Sequence, residues 1–196
     1  MGGCRRHGGH DAGDVASRVA VEELNAIPAP ASAAELLASC EAHMVIANSR
    51  LRQLADERGA LIGTTIAILL VFGGSYACVW SGDSRIYRIR GAAIEQISMD
   101  HTEIQELISE GKIGTEEAAT WPHRNAVTRA IGVFESPELE IKSGMLEPGD
   151  GFVICSDGLT AHVSDEEILA LAGKIRRRWR AICCCSSRSI VARPTM

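Results

Sequence analysis

Between Arg58 and Asp83 the chain carries no charged residue, and most of residues 61–80 are apolar. A stretch of that length has two physical outlets, a helix crossing a bilayer or a pair of buried strands. Gly73-Gly74 divides it into residues 64–72 and 75–81, each of strand length and carrying Thr, Ile, Val, Tyr or Trp. Short runs of β-branched and aromatic residues around a glycine pair favour two buried strands joined by a tight turn. The alternative is a membrane anchor over residues 61–80, and it ranks well below the hairpin.

With 196 residues, one domain and one sizeable core are expected. Aromatic residues make up only 4%, so Ile, Leu, Val and Ala must fill that core. A formal charge of -5 leaves no dominant basic field, which argues against a nucleic-acid partner. The seven cysteines show neither C-x-x-C pairs nor histidines at zinc-ligand spacing, and they read as reduced thiols of a cytoplasmic protein. No apolar signal segment precedes Gly13.

Helical period predicts a short helix over 15–25, then a longer one from Ser32, whose spacing to Glu35 is that of a capping box. Leu36, Leu37, Cys40, Met44, Ala47, Leu51 and Leu54 carry its apolar stripe to about Glu57. Arg50, Arg52, Asp56, Glu57 and Arg58 read as its solvated face. Strands are expected at 86–89, 93–97, 139–142 and 151–155. Residues 102–110 should be helical, with Ile104, Leu107 and Ile108 facing inward, and 111–122 should be an insert with a short helix from Thr115. Ser164 and Glu167 open a last helix to about Ala172.

Two aspartates stand on sharp turns directly after apolar runs: Gly82-Asp83-Ser84-Arg85 and Ser156-Asp157-Gly158-Leu159-Thr160. Carboxylates at strand ends can converge on a hard divalent cation, which takes oxygen ligands. Each turn alone is weak evidence, because Gly-Asp and Asp-Gly are common turn dipeptides. Their company is specific: Gly9-His10-Asp11-Ala12-Gly13-Asp14, Gly63-Thr64-Thr65, Asp100-His101-Thr102, and Asn125-Ala126-Val127-Thr128-Arg129-Ala130-Ile131-Gly132. In this order, from about Gly9 to about Ala172, the motifs resemble those of the metal-dependent PPM-type (type 2C) serine/threonine protein phosphatases of bacteria.

The resemblance implies an α+β fold, a central antiparallel β-sandwich flanked by helices in α/β/β/α layers, incomplete at both termini. It implies Mn²⁺ or Mg²⁺, two ions with a third possible, and hydrolysis of phosphoserine and phosphothreonine in protein partners by metal-activated water. On it, Asp157 matches the family's core metal ligand and Asp83 the aspartate supporting a third ion. Ala161 stands where the family often has a further aspartate, which weakens that third site. No side chain is assigned a catalytic role beyond the metal, and the family's phosphate-binding arginine segment has no counterpart. The alternative reading of Asp83 is a turn cap to Arg85. Asp14 reads as a helix-start residue, His10 as structural, and His101 and Asn125 as hydrogen-bonding groups that order loops.

Both ends depart from the pattern. Arg5 and Arg6 occupy the place of an Asp-Gly pair that supplies a metal ligand, and the closing Gly-x-x-Asp-Asn motif is absent. The domain is therefore read as 9–172, between an aberrant 1–8 and an aberrant, disordered 173–196. A single-base slip near Gly8 and another near Gly173 account for both, since suitable third bases restore both motifs in other frames. The nucleotide sequence of the locus decides that point. Two rival readings of the tail, a basic patch at Lys174, Arg176, Arg177, Arg178 and Arg180 and lipidation or metal binding at Cys183-Cys184-Cys185, rank lower. The activity of such a chain is expected to be impaired, and the runner-up is a catalytically dead, phosphoprotein-binding module.

Overall fold

The computed structural model of the chain describes residues 10–118, 121–122, 126–179 and 191–192. The uncharged stretch is a hairpin. β1 (Ile66–Phe72) and β2 (Ser75–Ser81) pair antiparallel around Gly73 and Gly74, both at positive φ. Side chains alternate between two cores. Ile66, Ile68, Leu70, Ala77 and Val79 face one, while Ala67, Leu69, Tyr76, Cys78 and Trp80 face the other. Burial on both faces explains the absence of charge. The membrane anchor over 61–80 is corrected accordingly: these residues form strands, and among the described residues no helix is long and apolar enough to cross a bilayer.

The first core is closed by α1 (His10–Asn25) and α2 (Ala33–Arg58). Ser32 caps α2 by accepting the Glu35 N–H at 3.1 Å, and Glu35 reaches back to the Ala31 N–H. Gly59, left-handed at φ 58, ends it. α1 starts at His10, not at Val15, because Ala12, Ala16 and Ala20 continue its packed stripe. Alanine has high helix propensity but adds little to a hydropathy pattern.

Two sheets face each other across the second core. One has strand order β5-β2-β1-β7, with β5 (Glu140–Met145) and β7 (Val191–Ala192) outermost. The other has order β4-β3-β6, with β3 (Arg85–Arg90), β4 (Ala93–Gln96) and β6 (Gly151–Cys155). α3 (Glu103–Ser109) is the helix expected over 102–110, α4 (Thr115–Ala118) is the short helix of the expected insert, and α5 (Asp157–Thr160) and α6 (Asp165–Trp179) follow β6. The fold is thus α+β, as expected. Cys40 and Cys78 are buried free thiols whose pKa burial raises to about 12, and Cys155 is also free.

Three boundaries differ from expectation. β5 runs on to Met145 because β2 offers it a partner as far as Ser75. α3 buries no residue: Ile104, Leu107 and Ile108 are half-exposed, since the helix packs on short α4 and not on a sheet. The disorder expected from Gly173 onward does not hold for 173–179, which continue α6, nor for 191–192, which pair with Ile68 and Leu69. No proline interrupts α6, and the outer edge of β1 presents backbone groups that need partners.

The β3–β6 ladder pairs Ile89 with Gly151. One step further, its register sets Arg90 opposite Asp150, and there the ion pair forms, Arg90 Nε and Nη2 donating to the carboxylate at 2.8 and 2.7 Å. This guanidinium, with the Glu147 amide, lowers the Asp150 pKa from 3.8 to about 2. A carboxylate with a lower pKa folded than unfolded contributes stability that is present above about pH 4 and lost as pH falls toward 2. Asp150→Asn is expected to flatten the loss of stability between about pH 4 and pH 2, measured by urea unfolding at each pH. An unchanged slope contradicts this.

Candidate metal centre

The same ladder has a second end, where Arg85 pairs with Cys155. Asp83 stands two residues before Arg85 and Asp157 two residues after Cys155, and the negative charge of Asp157 acts on Asp83. One end of the ladder therefore joins opposite charges and the other brings like charges together. Asp83 lies in the short segment Gly82-Asp83-Ser84, by which the chain leaves β2 in one sheet and enters β3 in the other. Asp157 is the first residue of α5, immediately after β6, and its Oδ1 accepts the Gly158 N–H at 2.8 Å.

The energetic signature agrees with the geometry. Burial first, and the negative charge of Asp157 second, raise the Asp83 pKa above its ordinary value, while a backbone hydrogen bond and Arg85 offset part of the effect. A third carboxylate, Asp100, adds to the repulsion but is already engaged. Arg85 Nε and Nη2 donate to it at 2.9 and 2.7 Å, and Gln96 Nε2 lies 3.3 Å away. The Asp100 hydrogen bonds hold the Arg85 pKa above its ordinary value. Arg85 Nη1 also donates to the Tyr87 hydroxyl, whose pKa burial raises to about 12.

The Asp83 turn is fixed from three sides. Gly82 has φ 116 and lies against Thr65, while Thr65 and Ser84 share a hydroxyl contact at 3.3 Å. The Gly82 N–H donates to His101 Nδ1 at 3.1 Å, and the His101 N–H donates to the Gly82 carbonyl at 3.0 Å. His101 thus orders this loop, as expected from its motif. Asn125 lies outside the described residues, as does the side chain of His10. Asp14 is exposed and lies one turn inside α1, which begins at His10, so it is not the helix-start residue expected of it. Ala161 ends α5 and offers no oxygen donor from its side chain.

Two residues escaped the reading of the sequence. Asn48, fully buried on α2, donates to the Phe134 and Glu135 carbonyls and accepts the Gly132 N–H. Its signal was its place on the buried stripe, four residues after Met44. Glu140, opposite Trp80 on β5, contacts His101, and nothing local marks it.

Two carboxylates balance the charge of one divalent cation, and water can complete its shell. Among the described residues no three His, Cys, Asp or Glu side chains converge. The charge of Asp83 and Asp157 together matches that of one divalent cation, and among the described residues no larger cluster that could hold two is found. An apolar cavity of about 340 Å³ lies at the opposite end of β2, lined by Leu36, Leu37, Leu70, Phe72, Tyr76 and Met145. It has no titratable group suited to a cation.

Comparison with known proteins points the same way. The family model for protein phosphatase 2C matches residues 3–190, across both ends that depart from the motif pattern. The serine/threonine protein phosphatase PstP of Mycobacterium tuberculosis is 36% identical over 165 residues, 83% of this chain. That match spans only 32% of PstP, so the chain covers about a third of this relative's length. Among solved structures, PppA, described as a key regulatory component of T6SS in Pseudomonas aeruginosa, aligns with TM-score 0.76 and 39% identity over 84% of this chain and 68% of that one. The catalytic domain of PstP in complex with two manganese ions aligns with TM-score 0.69 and 34% identity, covering 83% and 69%. Paired carboxylates at the sheet crossing, two facing antiparallel sheets and a family model spanning nearly the whole chain lead to one assignment: the chain belongs to the protein phosphatase 2C family.

Proposed function

We propose that the chain derives from a metal-dependent protein phosphatase acting on phosphoserine and phosphothreonine in proteins. The observation that supports this most is that Asp83 and Asp157, which leave the same end of the paired strands β3 and β6, stand close enough for the charge of one to act on the other. In this reading both aspartates are cation ligands, Mn²⁺ being favoured over Mg²⁺ by the manganese-bound relative. When bound, the cation supplies Lewis-acid activation of water and neutralises charge on the phosphoryl oxygens.

The chain's own residues supply the rest. Asp157 Oδ1 accepts the Gly158 amide, which leaves Oδ2 open to a ligand. Asp83 is carried on a turn whose neighbours are all bonded, so it stays in place despite the charge nearby. Arg85 spends its guanidinium hydrogen bonds on Asp100 and Tyr87 and offsets the charge of Asp83 only in part. The partners in this reading are cytoplasmic phosphoproteins made by a serine/threonine kinase.

The shortage of donors among the described residues supports a second reading, in which this chain binds phosphoproteins and turns them over slowly or not at all. Mn²⁺ titration, followed by the electron paramagnetic resonance signal of the free ion, is expected to show binding that Asp157→Asn weakens at least about tenfold. Hydrolysis of p-nitrophenyl phosphate by the same preparation is expected to be slow and to vanish in that variant. A chain that binds no Mn²⁺ overturns the metal reading. Binding without any turnover selects the second.

A further inference from the structure

His101 is only 4% exposed, and both its ring nitrogens are used. Nδ1 accepts the Gly82 N–H, so the ring proton resides on Nε2, 2.8 Å from Glu140 Oε2. The ring stacks on Trp80 with centroids 6.2 Å apart and planes 19° apart, and the Trp80 indole N–H donates to the Met99 carbonyl. The His101 carbonyl accepts the Thr128 N–H. A carboxylate, an imidazole and a backbone amide thus form one chain of hydrogen bonds, and it ends on the residue before Asp83.

A buried core histidine needs no carboxylate partner, nor a bond to the one amide that precedes a charged turn. Here the turn carries Asp83 close to Asp157, and like charges push the two apart. Unless Gly82 is anchored, the turn relaxes outward and the carboxylates separate. We propose that His101, oriented by Glu140, is a positioning residue for the cation site, holding Gly82 so that Asp83 stays close to Asp157. This rests on Asp83 being a cation ligand. Glu140 orients the imidazole, the imidazole holds the Gly82 amide, and the ligand that follows is placed without either group touching the ion.

Three variants of the full chain test it: His101→Phe, which keeps an aromatic ring for Trp80, Glu140→Ala and Glu140→Gln. Mn²⁺ affinity is read by electron paramagnetic resonance, and amide hydrogen exchange is followed at Gly82 and across β1. His101→Phe and Glu140→Ala are expected to weaken Mn²⁺ binding about tenfold and to speed Gly82 exchange by a similar factor, with β1 unchanged. Glu140→Gln keeps an oxygen acceptor for the Nε2 proton and should stay within about threefold of the parent chain. Unchanged Gly82 exchange in the first two variants overturns the proposal, as does an equal loss in Glu140→Gln and Glu140→Ala. Should His101→Phe fail to fold, Glu140→Ala decides, because the Glu140 side chain is 45% exposed. If the parent chain binds no Mn²⁺, the metal reading fails, and Gly82 exchange alone still judges the anchor.

Discussion

Replacing Gly82 with alanine is expected to cost about 4 kcal/mol of folding stability and to abolish any response to Mn²⁺. An alanine Cβ would stand 2.3 Å from Thr65 Cγ2 and 2.5 Å from Thr65 Cβ, distances no packing arrangement tolerates. Thr65 cannot swing away cheaply, since its hydroxyl meets Ser84 and its backbone leads directly into β1. The φ of 116 adds strain for any side chain. Relief must come from moving the turn, and Asp83 moves with it. Gly73 and Gly91 are the controls: φ is 55 and 61, and nothing lies within 4 Å of a Cβ built on either. Alanine there should cost only about 1 kcal/mol, the ordinary left-handed penalty. Urea unfolding of the three variants measures the difference. If Gly82→Ala matches the controls, steric confinement of this turn is refuted.

The second large effect is expected at Asn48. Truncation to alanine removes two donors and one acceptor from a site with 1% exposure. The carbonyls of Phe134 and Glu135 and the N–H of Gly132 then lose a partner together. A buried unsatisfied group costs about 1–3 kcal/mol. The Gly132 N–H is buried, while the two carbonyls belong to exposed residues that water reaches, so a loss of about 2–3 kcal/mol is expected. Gly132 cannot shift to compensate, because it packs against the Ile62 carbonyl and Leu51 at φ 93. Asn48→Asp separates the contributions. It keeps an acceptor for Gly132 but turns oxygen toward two carbonyls, and it should destabilise at least as much as alanine. Chemical denaturation at neutral pH supplies both values, and a loss below about 1 kcal/mol for alanine contradicts the account.

What could be seen in the sequence was whatever has a local cause. The hairpin follows from an uncharged stretch broken by two glycines. The caps at Ser32 and Ser164 follow from a residue and its partner three places on, and both bonds are present. Asp83 and Asp157 were visible because a turn aspartate after an apolar strand is a local pattern. Their meeting is implied by the family resemblance and not by either turn, since it depends on how β3 and β6 align across a long separation in the chain. Register is decided by tertiary packing. The same reason hid Glu140, which reaches His101 only because β5 lies beside β2. Asn48 was a different failure, a polar residue on an apolar stripe that was passed over because its neighbours satisfied the pattern. α3 shows the converse: Ile104, Leu107 and Ile108 have helical spacing, yet no sheet lies beneath them.

The passage from β2 to β3 spans the gap between the two sheets in three residues. So short a strap leaves no slack, and sliding of one sheet over the other must drag the Asp83 carboxylate along its path. If the proposed cation binds there, it would tie the two layers together. By reciprocity, anything that shears the layers would then loosen the ion by the same free energy with which the ion resists the shear.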